Sequence, residues 1–364
     1  MSGLPDVKTL KQCASFSLTV LPYVSQLTTF PTELYNILIS AASSDNSPPV
    51  LTALKGLYLS TNPLISGFAF ALFLAPIFLI VSEVNKNYSQ VDRLWSILPT
   101  LFNAHFSVYG HLAGVDTRRL DMLVAASTVW SGRLTFNYWR KGGYSIGSED
   151  YRWEILRTKI SPLLFFVFNV LFIALAQCVL LFSIATPTYI LLLTAKVPET
   201  ETPTADLIIS RLLIGLVMLE WFADQQQWTY QNAKKTYKEK AQVPPGYEAE
   251  DFERGFNVTG LWAWSRHPNF AAEQGVWIMV YQWSTYVTDV YFNWTLVGCI
   301  SYVILFQAST WFTELISAGK YPEYKEYQQR VGKFLPRWST ATKDEEKEEE
   351  AEIERKAKGK QRAE

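Results

Sequence analysis

Apolar residues along this chain fall into long blocks rather than into the short periodic stripes of a soluble fold. Leu64–Val84 is almost unbroken, and Ser161–Ile184 is the strongest block. Leu207–Phe222, Ala271–Tyr286 and Trp294–Trp311 follow the same pattern. Trp95–Leu112 and Leu120–Tyr138 are weaker, because Asn, His, Arg and Ser interrupt them, and Leu10–Phe30 is marginal. A membrane-spanning helix takes about 20 mostly apolar residues. The blocks therefore predict an all-α fold, a polytopic integral membrane bundle of roughly six to eight helices by that length criterion. No clear cleavage site follows the Leu10–Phe30 block, so it does not read as a signal peptide.

The flanks divide the chain into three parts. Residues 1–49 carry the marginal helix within Ser/Pro-rich stretches and are expected to be loosely ordered. Residues 50–342 form the membrane domain. Residues 343–364, KDEEKEEEAEIERKAKGKQRAE from Lys343, are dense in both charge signs and lack the apolar residues of a core, the pattern of a disordered or solvated tail.

Lys and Arg in short loops set orientation. Arg140–Lys159 carries Arg140, Lys141, Arg152, Arg157 and Lys159, and Gln227–Arg266 carries Lys234, Lys235, Lys238, Lys240 and Arg254. Both loops, and with them the C-terminus, are expected in the cytosol. The acidic Val197–Asp206 loop then faces the lumen. Arg118 and Arg119 fit this scheme less well, because helix counting puts them on the lumenal side.

Composition removes several function classes. Charged residues make up 18% of the chain, and the formal net charge is -1, so no global field points to nucleic acid. Cys13, Cys178 and Cys299 are far apart and unpatterned, which reads as buried free thiols rather than disulfides. The histidines, His105, His111 and His267, form no zinc spacing with them, so no metal is expected.

Polar clusters interrupt the apolar pattern, and ionisable groups within spans mark functional sites or internal pairs. Trp130, Arg133, Asn137 and Arg140 recur at helical spacing along one stripe, which should face the bundle interior. Glu220, Asp224 and Gln227 do the same near the end of an apolar block, with Gln226 beside them. Carboxylates one turn apart repel and need partners. A ligand's ribose and amide groups fill that need, and so does an ion pair with Arg133 or Arg266. Gln90–Ser96, with Asp92 and Trp95, reads either as an interfacial helix start or as part of a substrate site. Asp150–Glu154 with Arg157 reads either as a salt-bridged turn or as a cation pair for phosphates. The densest segment is Gly260-Leu261-Trp262-Ala263-Trp264-Ser265-Arg266-His267-Pro268-Asn269-Phe270, closed by Glu273 at the head of an apolar block. Together these groups offer what a dinucleotide needs, yet no GxGxxG is present. Such a cofactor would sit between membrane helices rather than in a Rossmann fold.

These blocks resemble, in order, the signature of the steroid 5-alpha-reductase-like C-terminal domain family, within the broader group of membrane reductases and isoprenylcysteine methyltransferase-like proteins. GLWAWSRHPNFAAE is similar to its GLW-x-x-(S/T)RHPNY-x-x-E run. Glu220-x-x-Ala223-Asp224-x-Gln226 resembles its E-x-x-AD-x-Q segment. Gln90–Ser96 with Pro99, Trp130-x-x-Arg133-Leu134 and Asp150-Tyr151-Arg152 resemble three earlier blocks. Glu314, Tyr324, Tyr327, Phe334 and Pro336 resemble its closing pattern. The likeness covers about Val84–Arg337. Phe270 stands where the family usually has Tyr, and Ala272 where it usually has Gly.

The resemblance implies NADPH as hydride donor. It implies a cofactor pocket lined by Asp150, Arg152, Arg157, Asp224, Gln226, Trp262, Arg266, His267, Asn269 and Glu273, closed by Tyr324 and Tyr327. The expected reaction reduces a carbon–carbon double bond of a lipid or sterol-like enone in the endoplasmic reticulum membrane. Asp92, Arg133 and Tyr138 are candidates for the catalytic polar end. The family's acid and tyrosine that hold a substrate ketone do not align here. Two rival readings stay open: an S-adenosylmethionine-dependent membrane methyltransferase, whose families share the RHP-x-Y turn, and a non-catalytic lipid-binding protein.

Overall fold

The computed structural model describes residues 3–43, 50–198 and 203–337; the charged tail from Lys343 lies outside them. Helices make up the regular structure: α1 Gln26–Ser43, α2 Val50–Ser60, α3 Pro63–Asn85, α4 Leu98–Ala113, α5 Arg118–Arg140, α6 Tyr151–Lys159, α7 Pro162–Thr194, α8 Pro203–Lys240, α9 Pro268–Thr288, α10 Leu296–Lys320 and α11 Tyr324–Arg330. The fold is an all-α membrane bundle. Helices α3, α7 and α10 are long and apolar enough to cross a membrane. Only 39, 33 and 22% of their most apolar stretches is buried within the protein. The rest, including Phe73, Ile80, Leu163, Leu171, Val297 and Ile304, faces outward and needs an apolar solvent.

Local chemistry explains the boundaries. α3 opens with Asn62 accepting from the Leu64 amide and Pro63 at its first position, and ends where Lys86 turns left-handed. α7 begins with Ser161 as cap and Pro162 behind it. Its middle, Asn169–Ala176, widens to a π-helix. There the fully buried Asn169 amide leaves its own helix to donate to Ser82 Oγ and Glu83 Oε1 of α3, at 3.1 and 2.9 Å.

Two compact units emerge from the contacts. The first comprises Met1–Gln225 and Ala272–Glu314. Its core gathers aromatic and aliphatic residues such as Phe102, Phe106, Trp130, Tyr189, Trp277, Trp283 and Tyr302. The second comprises Gln226–Ala271 and Leu315–Glu364, with small aromatic clusters around Phe252 and Phe256. The three cysteines are free and buried.

Two expectations change. Leu10–Phe30 is not one helix. It breaks into Leu10–Cys13, Phe16–Thr19 and a 3-10 turn at Leu21–Tyr23, where Pro22 has no amide to continue an α ladder, before α1 begins. Nor is the N-terminal stretch loose throughout, since Leu4, Val7, Cys13 and Val20 are buried in the first unit's core. Lys196 Nζ donates to the Pro5 carbonyl at 2.6 Å, and Tyr189 Oη to the Thr19 carbonyl at 2.8 Å. Arg118 and Arg119, which fit the charge rule poorly, both find carboxylate partners within the protein. Arg118 pairs with Asp116, and the half-buried Arg119 forks onto both oxygens of Asp206 at 2.9 and 2.8 Å. Trp283 donates to the same carboxylate at 2.7 Å.

Candidate functional site

The stripe on α5 turns inward, as its spacing requires: Trp130, Arg133 and Asn137 are buried. Arg133 meets three carboxylates in the first unit. Nη1 is 2.9 Å from Asp224 Oδ2, and Nη2 is 3.1 Å from Glu273 Oε2 and 3.4 Å from Glu220 Oε2. Asn137 donates to Asp224 as well. Of the partners left open for Asp224 and Glu220, the structure thus selects Arg133. Glu273 accepts on both oxygens: Oε2 from Trp130 Nε1 at 2.9 Å and from Arg133, Oε1 from Tyr302 Oη at 2.7 Å and from Trp277 Nε1 at 3.2 Å. A carboxylate with donors around both oxygens inside an apolar bundle is a strongly specified charge. Arg140, one turn beyond, reaches Gln225 Oε1 at 2.9 Å.

A second polar patch joins the start of α6 to the short helix Gln90–Leu94. Asp150 caps α6 through the Arg152 amide and holds the Arg152 side chain through both oxygens, at 2.9 and 2.8 Å. Burial opposes ionisation of Asp150, but the Arg152 guanidinium overcomes it and keeps this carboxyl below its usual range. Arg152 also donates to Ser309 at 2.8 Å. Arg157 pairs with Glu149 at 2.7 Å and lies over the Tyr88 ring. Asp92 accepts from Trp153 Nε1 at 2.8 Å. Its carboxyl moves the other way: burial pushes it above the normal carboxylate range, more than Arg152 and the Trp153 bond pull it back. Tyr138 packs edge-on against Tyr144 and lies within electrostatic reach of Asp92.

The opposite shifts have opposite consequences for stability. A raised acid stabilises the fold only while protonated, so the contribution of Asp92 is present at low pH and is lost as pH rises through its folded-state value. Asp92→Asn, which keeps the shape and an acceptor for Trp153, should therefore raise the unfolding midpoint at pH 7–8. The gain should shrink as the solution is acidified. A lower midpoint at neutral pH would show that Arg152 needs the Asp92 charge.

The second unit holds the rest of the signature. Gly260 has φ +63°, and an added Cβ would lie 2.7 Å from the Gln226 amide, so the turn requires glycine. Gln226 Oε1 accepts from the Leu261 amide at 2.9 Å. Ser265 bridges to Gly332, and the main chain of Arg266 and His267 donates to the carbonyls of Gly332 and Lys333 at 2.9 and 3.0 Å. The Arg266 side chain donates to the carbonyls of Gln328 and Val331. Tyr327 Oη donates to the Trp262 carbonyl, with Tyr324 packed edge-on beside it. His267 stacks on Phe270 with ring centres 5.6 Å apart, and Asn269 Oδ1 accepts from the Phe270 amide at 3.0 Å.

Of the residues singled out from sequence, Arg133, Asp224 and Glu273 meet directly in the first unit. Asp92, Asp150, Arg152, Arg157 and Tyr138 form a separate patch there. Gln226, Trp262, Arg266, His267, Asn269, Tyr324 and Tyr327 belong to the second unit. Trp277 and Tyr302 complete the carboxylate cluster and escaped the sequence reading. Their only signal is an indole and a phenol, each with a polar end, inside otherwise apolar blocks. Among the described residues, no group of three His, Cys, Asp or Glu is disposed to hold a metal.

A family model described as a protein of unknown function, DUF1295, matches residues 78–331. An uncharacterized protein of Schizosaccharomyces pombe is 38% identical over 338 residues, covering 92% of this chain and 94% of its own length. No solved structure matches the chain. The matched segment contains the candidate site residues from Asp92 to Tyr327, and the chain belongs to the DUF1295 family.

Proposed function

We propose that this protein is a membrane oxidoreductase that uses NADPH to reduce a carbon–carbon double bond of a lipid or sterol-like enone. One observation carries the reading. Trp130 and Arg133, Glu220 and Asp224, and Glu273 come from three separate blocks of the steroid 5-alpha-reductase-like signature, and they converge in one buried cluster. The Trp130–Glu273 bond alone spans 143 residues of sequence. Unrelated chance matches to a motif have no physical reason to meet in space.

The cofactor, when bound, supplies the hydride. The donor set fits its needs. Arg152 and Arg157 are 30% and 34% exposed; Arg152 forks onto Asp150 and Arg157 holds Glu149 through one nitrogen, and both guanidinium groups have the N–H geometry that suits a phosphate. Asp150 orients the first of them. Asp224, Gln226, Trp262, Arg266, His267, Asn269, Glu273, Tyr324 and Tyr327 are assigned to the cofactor by the resemblance. Asp92, which burial favours in its protonated form, is the proton donor for the developing enolate oxygen, with Tyr138 beside it. We take the Arg140–Lys159 and Gln227–Arg266 loops as cytosolic on their Lys/Arg bias, and the membrane as the endoplasmic reticulum, the reading that a multispanning chain with this bias and a lipid substrate suggests.

The test is thermal unfolding of the detergent-purified protein with NADPH, NADH or S-adenosylmethionine. A ligand that binds only the folded state raises the midpoint with the logarithm of its concentration. NADPH should raise it, and Asn269→Ala should abolish that rise while leaving the unliganded midpoint in place. A rise with S-adenosylmethionine alone would move the protein to the methyltransferases. No rise with any of the three would favour a non-catalytic lipid-binding role.

A further inference from the structure

The buried cluster around Arg133 holds one more acid than its cations neutralise. Arg133 makes its two short ion pairs with Asp224 and Glu273. Asp224 also feels the positive charges of Arg140 and Lys141 at the end of α5. Glu273 has donors on both oxygens. Glu220 is left over. Its side chain is 0% exposed, and neither oxygen has a hydrogen-bond partner. Its contact with Arg133 is the longest of the three, at 3.4 Å.

What Glu220 does face is another carboxyl, that of Glu273: the same Arg133 Nη2 lies 3.4 Å from Glu220 Oε2 and 3.1 Å from Glu273 Oε2. Two adjacent carboxylates in a dry, low-dielectric core repel each other strongly, and neither can donate to the other while both are ionised. One hydrogen between them removes the surplus charge and turns the repulsion into a hydrogen bond. Geometry decides which acid carries it. Glu273 accepts hydrogen bonds from four N–H and O–H donors, whereas neither oxygen of Glu220 accepts any and its Arg133 contact is longer than a hydrogen bond. A metal ion is a poorer answer, since no metal-holding group of acids is found among the described residues.

We propose that Glu220 is a proton-binding site inside the membrane bundle, a neutral carboxylic acid that shares its hydrogen with the carboxylate of Glu273. The site exists whether or not the protein binds NADPH. The charged and titratable groups that face it are Arg133 on α5, Glu273 on α9, Tyr302 on α10 and Asp224 one turn along its own helix. Loss of the proton at alkaline pH leaves two facing carboxylates beside a guanidinium already engaged by Asp224. The cluster should then weaken.

Infrared spectroscopy of the purified protein tests this directly. With glutamate 13C-labelled, the wild type at neutral pH should show the carbonyl band of a protonated glutamic acid in a dry environment, and Glu220→Gln should lack it. Absence of that band in the wild type overturns the proposal, without any variant having to fold. Stability gives a second readout. Glu220→Gln, which mimics the neutral acid, should keep the neutral-pH unfolding midpoint and lose the alkaline decline of the wild type. A variant that unfolds as readily as Glu220→Ala would show that a negative charge is required there, which is incompatible with a neutral acid. A sodium- or potassium-dependent rise of the wild-type midpoint, missing in Glu220→Gln, would hand the site to a monovalent cation instead.

Discussion

Replacing Arg133 with methionine should cost this protein more stability than any other single change in the bundle. The side chain is of similar length and apolar, so packing is largely kept. What is removed is the guanidinium that contacts Glu220, Asp224 and Glu273. Removing one partner of a buried ion pair leaves an uncompensated charge and costs about 3–5 kcal/mol. Here two carboxylates, Asp224 and Glu273, lose their short ion pair at once, and Glu220 loses its 3.4 Å neighbour. The expected result is a purified protein that unfolds or aggregates well below the wild-type midpoint. Adding Glu273→Gln on the Arg133→Met background should restore part of the loss, because it removes one of the stranded charges while its amide oxygen still accepts from the neighbouring donors. A midpoint for Arg133→Met close to wild type would mean that the acids are already neutral and that the cluster is held by its hydrogen bonds alone.

The second large effect belongs to Gly298, where α10 meets α7. An added Cβ there would lie 2.4 Å from the Ser183 carbonyl oxygen and 2.5 Å from its carbon. Those atoms are main chain and cannot swing aside, so even Gly298→Ala must push two helices apart. Close approach of helix backbones at small residues is a main source of packing in membranes, where burial of apolar side chains against lipid gains little. Overpacking of this kind costs about 1–3 kcal/mol or more. Gly215 on α8 is the internal control, since an added Cβ there meets nothing within 4 Å. Gly215→Ala should be neutral or stabilising by about 0.5–1 kcal/mol, from reduced chain entropy in the unfolded state. Opposite signs at the two glycines, measured by thermal unfolding in the same detergent, are the expected result. Equal small effects would show that the α7–α10 contact carries no stability.

Much of this was legible from residue order. The blocks Leu64–Val84, Ser161–Ile184 and Trp294–Trp311 became α3, α7 and α10, and the Trp130–Arg140 stripe became the buried face of α5. Both inferences rest on local physics: a bilayer-length apolar run, and a 3.6-residue repeat that puts four polar side chains on one side of a helix. Arg119 was legible only as an exception to the charge rule. Its partner Asp206 lies 87 residues away, across a stretch that no pattern connects to it. Likewise Leu10–Phe30 had the composition of a marginal span, yet Pro22 and the core contacts of Cys13 and Val20 turn it into short helices folded against the bundle.

The sequence alone determined which residues are apolar enough for a membrane, which polar groups sit within those stretches, and which helical face each one shares. Only the tertiary structure decided which of those polar groups meet. Asp224 had two candidate cations, Arg133 and Arg266. The fold puts Arg133 against it, while the Arg266 guanidinium reaches the main-chain carbonyls of Gln328 and Val331. Helical periodicity is a property of neighbours four residues apart, whereas pairing of buried charges depends on which helices pack together. That choice is made by the summed fit of many side chains and leaves no local trace at either end of the pair.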